Sequence, residues 1–251
     1  METTGRLDRG DGTHLAWAQL AGAGPCVVFL PGLRSDMGGS KALAVRDFCE
    51  AQGQAMLRLD YSGHGESEGA FTDGTIGHWA ADAAAVIAAR VAGPMVLIGS
   101  SMGGWIGLLL ARRLGAQLAG FIGIAAAPDF TEDLMWASMT PKERGLLEQQ
   151  GRIEIASDYG ENLVITRALI EDGRRHLVLR DRLALPCRVR LLQGQCDADV
   201  PWETAVRLAE RLTGADVQVC LIKDGDHRLS RPQDLALLTR TVGALLGEDG
   251  G

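Results

Sequence analysis

Short apolar runs alternate along the chain with longer stretches in which apolar positions recur at helical spacing. The runs at 13–20, 26–30, 55–60, 95–98, 120–125, 188–192 and 217–222 are rich in Val, Ile and Leu and too short for core helices, so they predict strands. Stretches 40–51, 76–91, 104–114, 203–212 and 232–246 carry the helical pattern. This succession predicts an α/β fold, a mostly parallel central sheet flanked by helices on both faces. It breaks once. From Pro128 to about Leu185 the pattern has no clear strand and is rich in helix formers, with Pro128 and Pro186 marking its ends. The expectation is one domain whose core is 1–127 and 186–251, with a helical lid insertion at 128–185.

The chemistry concentrates where strands end. Met95-Val96-Leu97-Ile98 breaks into Gly99-Ser100-Ser101-Met102-Gly103 and then a small-residue helical pattern. Gly-x-Ser-x-Gly between a strand and a helix is the context of a nucleophile elbow. A serine hydroxyl is a weak nucleophile at neutral pH and must be lifted clear of the sheet to meet a base. The sharp turn that does this strains the backbone at Ser101 and crowds its neighbours, which Gly99 and Gly103 tolerate for want of a Cβ. Two residues before Ser100 stands Ile98, so the glycine frame selects Ser101 and leaves Ser100 a structural role. The amide of Met102 then opens a helix, where the macrodipole favours negative charge; it is half of an oxyanion hole.

Two later loops supply candidate partners. The strand at 188–192 runs into Gly194-Gln195-Cys196-Asp197-Ala198-Asp199-Val200-Pro201. A carboxylate there can orient a histidine; Asp197 and Asp199 both qualify, and Asp199 is also placed to cap the helix opening at Pro201-Trp202. The last strand runs into Lys223-Asp224-Gly225-Asp226-His227, a Gly turn that delivers a histidine late in the chain. His14 lies in an early strand, His64 in a Gly turn, His78 at a helix start and His176 in the insertion. The polar cluster Asp60–Ser67 reads as a tight structural turn because glycines flank His64. Arg34, after the strand at 26–30, stands at a pocket mouth, where it either meets a substrate carboxylate or is solvated. In the insertion, Trp136 and Met139, with Leu134 and Met135, either line an acyl pocket or pack the lid onto the core.

Composition narrows the classes. With 251 residues, 46% of them hydrophobic, the chain can bury a sizeable core. No run of about eighteen apolar residues appears, and residues 1–12 are polar and Gly-rich, so neither stable membrane insertion nor export is expected and the location is expected to be cytoplasmic. Five widely spaced cysteines suit reduced thiols, and no pair has zinc-ligand spacing, so no metal is expected. A net charge of −7 without a basic run beyond Arg112-Arg113 and Arg174-Arg175 argues against nucleic acid. No dinucleotide fingerprint is present and no cofactor is expected. Oligomeric state leaves no trace in the sequence.

With these residues in place, the chain resembles the α/β-hydrolase superfamily throughout. The matching segments are Leu30-Pro31-Gly32, Lys41-Ala42-Leu43-Ala44, Phe48-Cys49, Asp60-Tyr61-Ser62-Gly63, Gly99 to Trp105, Asp197 with Val200-Pro201-Trp202, and Asp226-His227-Arg228. Ser-Ser-Met-Gly-Gly-Trp, Val-Pro-Trp and Asp-His-Arg together are similar to the branch of mitochondrial abhydrolase-domain enzymes that act as palmitoyl-protein thioesterases and mycophenolic acid acyl-glucuronide esterases. The resemblance implies Ser101 as nucleophile, Asp197 as acid and His227 as base, with the Leu33 amide as second oxyanion donor. It also implies hydrolysis of small-molecule or acyl-protein esters and thioesters through an acyl-enzyme. Two departures stand out. The chain begins almost at its first strand, with no transit peptide expected, and the lid diverges most, so acyl specificity does not transfer. An aminopeptidase or amide hydrolase on the same scaffold is the enzymatic alternative, although the lid offers no clear acidic ligand for a free amino terminus. A non-catalytic ligand-binding protein of this fold is the other, set against the complete Ser, Asp and His.

Overall fold

A computed structural model describes residues 1–155, 162–185 and 187–247. Its strands are β1 (Glu2–Asp8), β2 (His14–Leu20), β3 (Ala23–Leu30), β4 (Gln54–Leu59), β5 (Met95–Ser100), β6 (Leu118–Ile124), β7 (Arg152–Ile155), β8 (Leu163–Thr166), β9 (Arg188–Gly194) and β10 (Val217–Ile222). The helices are α1 (Ser40–Gln52), α2 (Ile76–Arg90), α3 (Met102–Leu114), α4 (Pro141–Gln150), α5 (Arg167–Arg175), α6 (Glu203–Arg211) and α7 (Pro232–Gly247). Eight strands form one sheet in the order β1-β2-β4-β3-β5-β6-β9-β10. Only β1 with β2 and β2 with β4 pair antiparallel; the rest of the sheet is parallel.

Every residue of β5 is buried, as a central parallel strand covered on both faces requires. Its alternate side chains feed two cores. Met95 and Leu97 join Trp79, Trp105 and Phe121 under α2 and α3, whereas Val96 and Ile98 join Val45, Leu238 and Val242 under α1 and α7. The α/β expectation therefore holds, with most element ends within about two residues. β1 was not expected. Its Glu-Thr-Thr-Gly-Arg-Leu-Asp sequence has no apolar alternation, and it forms because its backbone completes a seven-residue antiparallel ladder against β2.

The insertion departs from its all-helical expectation. Besides α4 and α5 it holds a two-stranded antiparallel hairpin, β7 with β8, in register from Arg152↔Thr166 to Ile155↔Leu163. Four-residue strands are too short to set a period against helix-forming neighbours, which is why the pattern hid them. Thr140 and Glu143 close a reciprocal capping box at the start of α4, with Pro141 in the first turn. A π-helical turn, Thr131–Trp136, leads into the insertion, whose own small core gathers Met139, Leu147, Ile165 and Ile170. Pro186, the expected end of the insertion, lies outside the described residues. Among the described residues no helix is long and apolar enough to cross a membrane.

Candidate active site

The turn between β5 and α3 puts Ser101 at φ 52°, ψ −118°. A non-glycine residue there costs about 1–3 kcal/mol and persists only where its surroundings over-determine it. They do so here. Ser101 N donates to Ile124 O (2.9 Å), and Ser101 O accepts from Gly104 N (2.9 Å) and Ala127 N (3.0 Å). The flanking glycines are needed for space: a Cβ on Gly99 would stand 2.3 Å from Gly103 O, and one on Gly103 would stand 2.1 Å from Leu30 O. Ser100 ends β5 as a buried residue, in keeping with a structural role.

Two loops carry the other candidates to the same end of the sheet. The loop after β9 and the loop after β10 are laced together by Gln195 N to Ile222 O and Cys196 N to Gly225 O, each 2.8 Å. The contact is so close that a Cβ on Gly194 would meet Gly225 O at 2.3 Å. The structure thereby brings Ser101, Asp197 and His227 together. His227 Nδ1 lies 2.8 Å from Asp197 Oδ2, and Nε2 lies 3.1 Å from Ser101 Oγ. The Asp197 side chain has no solvent exposure, and its Oδ1 accepts from Asp199 N (2.9 Å) and Val200 N (2.8 Å). Burial pushes its pKa up, but the His227 hydrogen bond and charge, with the Val200 and Asp199 amides, outweigh this and hold it below the ordinary carboxylate value. An ionised Asp197 favours the tautomer with the proton on Nδ1, leaving Nε2 to accept from Ser101.

Gln193, the penultimate residue of β9, also belongs to this arrangement. Fully buried, it donates from Nε2 to Asp197 Oδ2 (2.9 Å) and to Val200 O (3.3 Å). A lone amide side chain closing an apolar strand just before the acidic loop was the available signal in the sequence. Asp199 is exposed and serves Asp197 through its backbone amide; α6 opens later, at Glu203, without a side-chain cap. Asp197, Asp199 and His227 offer ligand atoms within 4.8 Å of one another, the spacing a cation could use. Both Asp197 oxygens and both His227 nitrogens are already engaged in the contacts above.

The loop after β3 passes over the serine. A Cβ on Gly32 would lie 3.3 Å from Ser101 Cβ, and Tyr61 Oη donates to Pro31 O (3.2 Å), fixing the loop from below. Leu33, partly buried, follows Gly32. Met102, as the first residue of α3, has an amide with no helical carbonyl four residues back to receive it. Arg34 has φ 55° and donates to Asn162 O (3.2 Å), joining this loop to the insertion. Beside them opens a cavity of about 400 Å³ lined by Arg34, Ser35, Asp36, His64, Phe71 and Asn162, among others.

The remaining candidates take no part in the hydrogen bonds that join Asp197, His227 and Ser101. His64 is buried edge-on against Tyr61, Phe71 and Trp79, and burial lowers its pKa. His14 pairs with Glu68, His78 with the Asp73 carbonyl, and His176 ends α5. Trp136 is clasped between the Arg144 and Arg174 guanidiniums, 4.8 and 4.6 Å from its ring centroid, and Met139 is buried in the small core of the insertion. Leu134 and Met135 pack against the main core.

The family model described as "Serine aminopeptidase, S33" matches residues 23–155. A Bos taurus relative named "Palmitoyl-protein thioesterase ABHD10, mitochondrial" is 37% identical over 96% of this chain and 79% of its own length. A solved hydrolase structure from Agrobacterium vitis S4 superposes with a TM-score of 0.95 at 41% identity, covering 98% of this chain and 99% of that one. The structure of alpha/beta hydrolase domain-containing protein 10 from mouse gives a TM-score of 0.91 at 34% identity, with the same coverage. The expected cytoplasmic location is corrected by these comparisons: the bovine, orangutan, human, mouse and rat relatives are all named as mitochondrial. The polar, Gly-rich residues 1–12 behind the cytoplasmic expectation speak against an apolar export signal, which does not bear on that compartment.

Proposed function

This chain belongs to the α/β-hydrolase family of ester and thioester hydrolases, and from that premise we propose that Ser101, His227 and Asp197 are its nucleophile, base and acid. The observation that carries the reading is the continuous line from Asp197 Oδ2 through the His227 ring to Ser101 Oγ, 2.8 and 3.1 Å. His227 Nε2 takes the Ser101 proton as Oγ attacks the acyl carbonyl. The Met102 and Leu33 amides hold the developing oxyanion. The tetrahedral intermediate collapses, the bond to the leaving oxygen or sulfur breaks, and His227 returns the proton to the leaving group. Water, deprotonated by the same nitrogen, then attacks the acyl-enzyme, releasing the carboxylic acid and restoring Ser101.

The names of the relatives make a palmitoyl thioester on protein the first substrate to test. The insertion, taken as 128–185, acts as the lid over this end of the sheet, and Arg34 borders the cavity that receives the substrate. Trp136 and Met139 serve chiefly the packing of the lid, the role consistent with their neighbours. Ser101→Ala is expected to lower kcat at least 10³-fold without unfolding the protein, and a fluorophosphonate is expected to add one adduct mass to the wild type and none to the variant. Turnover unchanged in Ser101→Ala would sink the assignment.

The description of the matching family favours one second reading, a serine aminopeptidase. An acidic side chain would have to meet the substrate amino group, but three buried or half-buried acids among the described residues of the insertion are committed. Asp129 accepts from the Val178 and Leu179 amides, Asp133 pairs with Arg180 and Arg207, and Asp172 accepts from Gly77 N. Rates on amino-acid anilides should accordingly fall far below those on acyl esters.

A further inference from the structure

Lys41 is the second residue of α1, at the end of the helix where the macrodipole disfavours a cation. Arginine fills 22 of the 25 basic positions in the chain; only Lys41, Lys142 and Lys223 are lysines. Lys41 is half-buried, and its ammonium donates to the main-chain oxygen of Arg228, the residue after His227. Ser230 Oγ donates to the same oxygen (2.9 Å), but Ser230 lies on the same loop and moves with it. Lys41 is different because it ties that oxygen to another element of the fold. The charged groups facing it are Arg228 and Asp226 on the His227 loop, Asp197 on the loop after β9, and Asp234 in the first turn of α7.

We propose that Lys41 is a positioning residue for hydrolysis: from α1 it grips the Arg228 carbonyl and fixes the backbone that holds the His227 ring between Asp197 and Ser101. This rests on the reading of His227 as the base. The position opposes the helix dipole and puts an ammonium where solvent is scarce, so it is a poor choice for stability alone. Burial and the Arg228 guanidinium draw its pKa down to about 8, against the pull of Asp226, Asp197 and Asp234. The folded value lies below the ordinary 10.5, so the charge that strengthens this hydrogen bond is lost as pH rises through about 8. The wild-type kcat should therefore decline above pH 8.

The test compares wild type, Lys41→Met and Ser101→Ala on one aryl ester from pH 6 to 10, with melting curves as the fold control. Lys41→Met is expected to lower kcat about tenfold at pH 7.5, to leave KM within twofold, and to lack the alkaline decline. The wild type labelled with ¹³C-lysine gives three lysine signals, and the one absent from Lys41→Met should titrate along with kcat. Wild-type kcat in a folded Lys41→Met overturns the proposal. So does a Lys41 signal that stays charged throughout the alkaline decline, a result that needs no variant to be active. Turnover persisting in Ser101→Ala would instead overturn the serine mechanism, whereas its loss there beside wild-type kcat in Lys41→Met removes the Lys41 proposal alone.

Discussion

Asp197 would be a poor partner for a histidine if it were merely close. Buried without solvent, its carboxylate needs every lone pair engaged to stay ionised, and the Val200 and Asp199 amides, Gln193 Nε2 and His227 meet that need. Asp197→Asn is expected to lower kcat by about 10³-fold or more, because an amide can present its NH₂ to Nδ1 and reverse the tautomer. Gln193→Met should cost about tenfold in kcat with KM nearly unchanged, since one hydrogen bond of about 1.5 kcal/mol to the acid is removed and the apolar strand tolerates the replacement. Equal kcat in wild type and Gln193→Met would show that the two amides alone hold the acid. Ser101 was legible in the sequence because the glycine frame encodes its strain, and His227 and Asp197 through their order in a recognisable family. Gln193 left only the faint signal of a lone amide at a strand end, and Lys41 only its place in a family-like segment, because the contacts and burial that give each its role are not recorded in one-dimensional pattern.

At the scale of elements, the elbow works by close approach of three segments: β5, the first turn of α3 and the loop after β3. Gly103→Ala puts a methyl into the Leu30 and Pro31 carbonyls, so α3 or the Gly32 loop must move. We expect at least 10²-fold loss of kcat/KM together with a Tm lowered by several degrees, as overpacking of about 1–3 kcal/mol implies; an unaltered Tm would mean that the turn yields without cost. The central strands β3, β5 and β6 were readable because burial on both faces leaves nearly continuous apolar runs. β1 and the β7–β8 hairpin were not. β1 is a polar edge held by backbone pairing, and the hairpin side chains alternate over only four residues per strand.

Over the whole molecule, the insertion is fastened to the core by charge as well as by packing. Asp133 in the opening turn of the insertion accepts from Arg207 on α6 and, within the insertion, from Arg180, and Asp172 on α5 accepts from Gly77 N at the start of α2 (2.6 Å). The Arg180 hydrogen bond, offset in part by burial and reinforced by Arg207, holds the Asp133 pKa below its ordinary value. A folded pKa below the unfolded one gives stability that is present above about pH 4 and lost as pH falls through the folded value. With both arginines more than a third exposed, the loss in Asp133→Asn at pH 7 should be only about 1 kcal/mol, or a Tm lower by roughly 2–4 °C. The difference from wild type should narrow below pH 4; a constant gap across that range would show that the carboxylate charge is not what fastens the insertion.

The Ala127 amide that donates to the carbonyl of Ser101 sits at the root of the insertion, one residue before Pro128. That root therefore belongs to the serine as much as to the segment it begins. If 128–185 is the lid proposed above, exchanging that segment between relatives would test whether it sets acyl preference, and the choice of seam would matter. A junction cut downstream of Ala127 carries that anchor over intact. One cut at the end of β6 makes that anchor depend on the new segment bringing a non-proline amide to the same place.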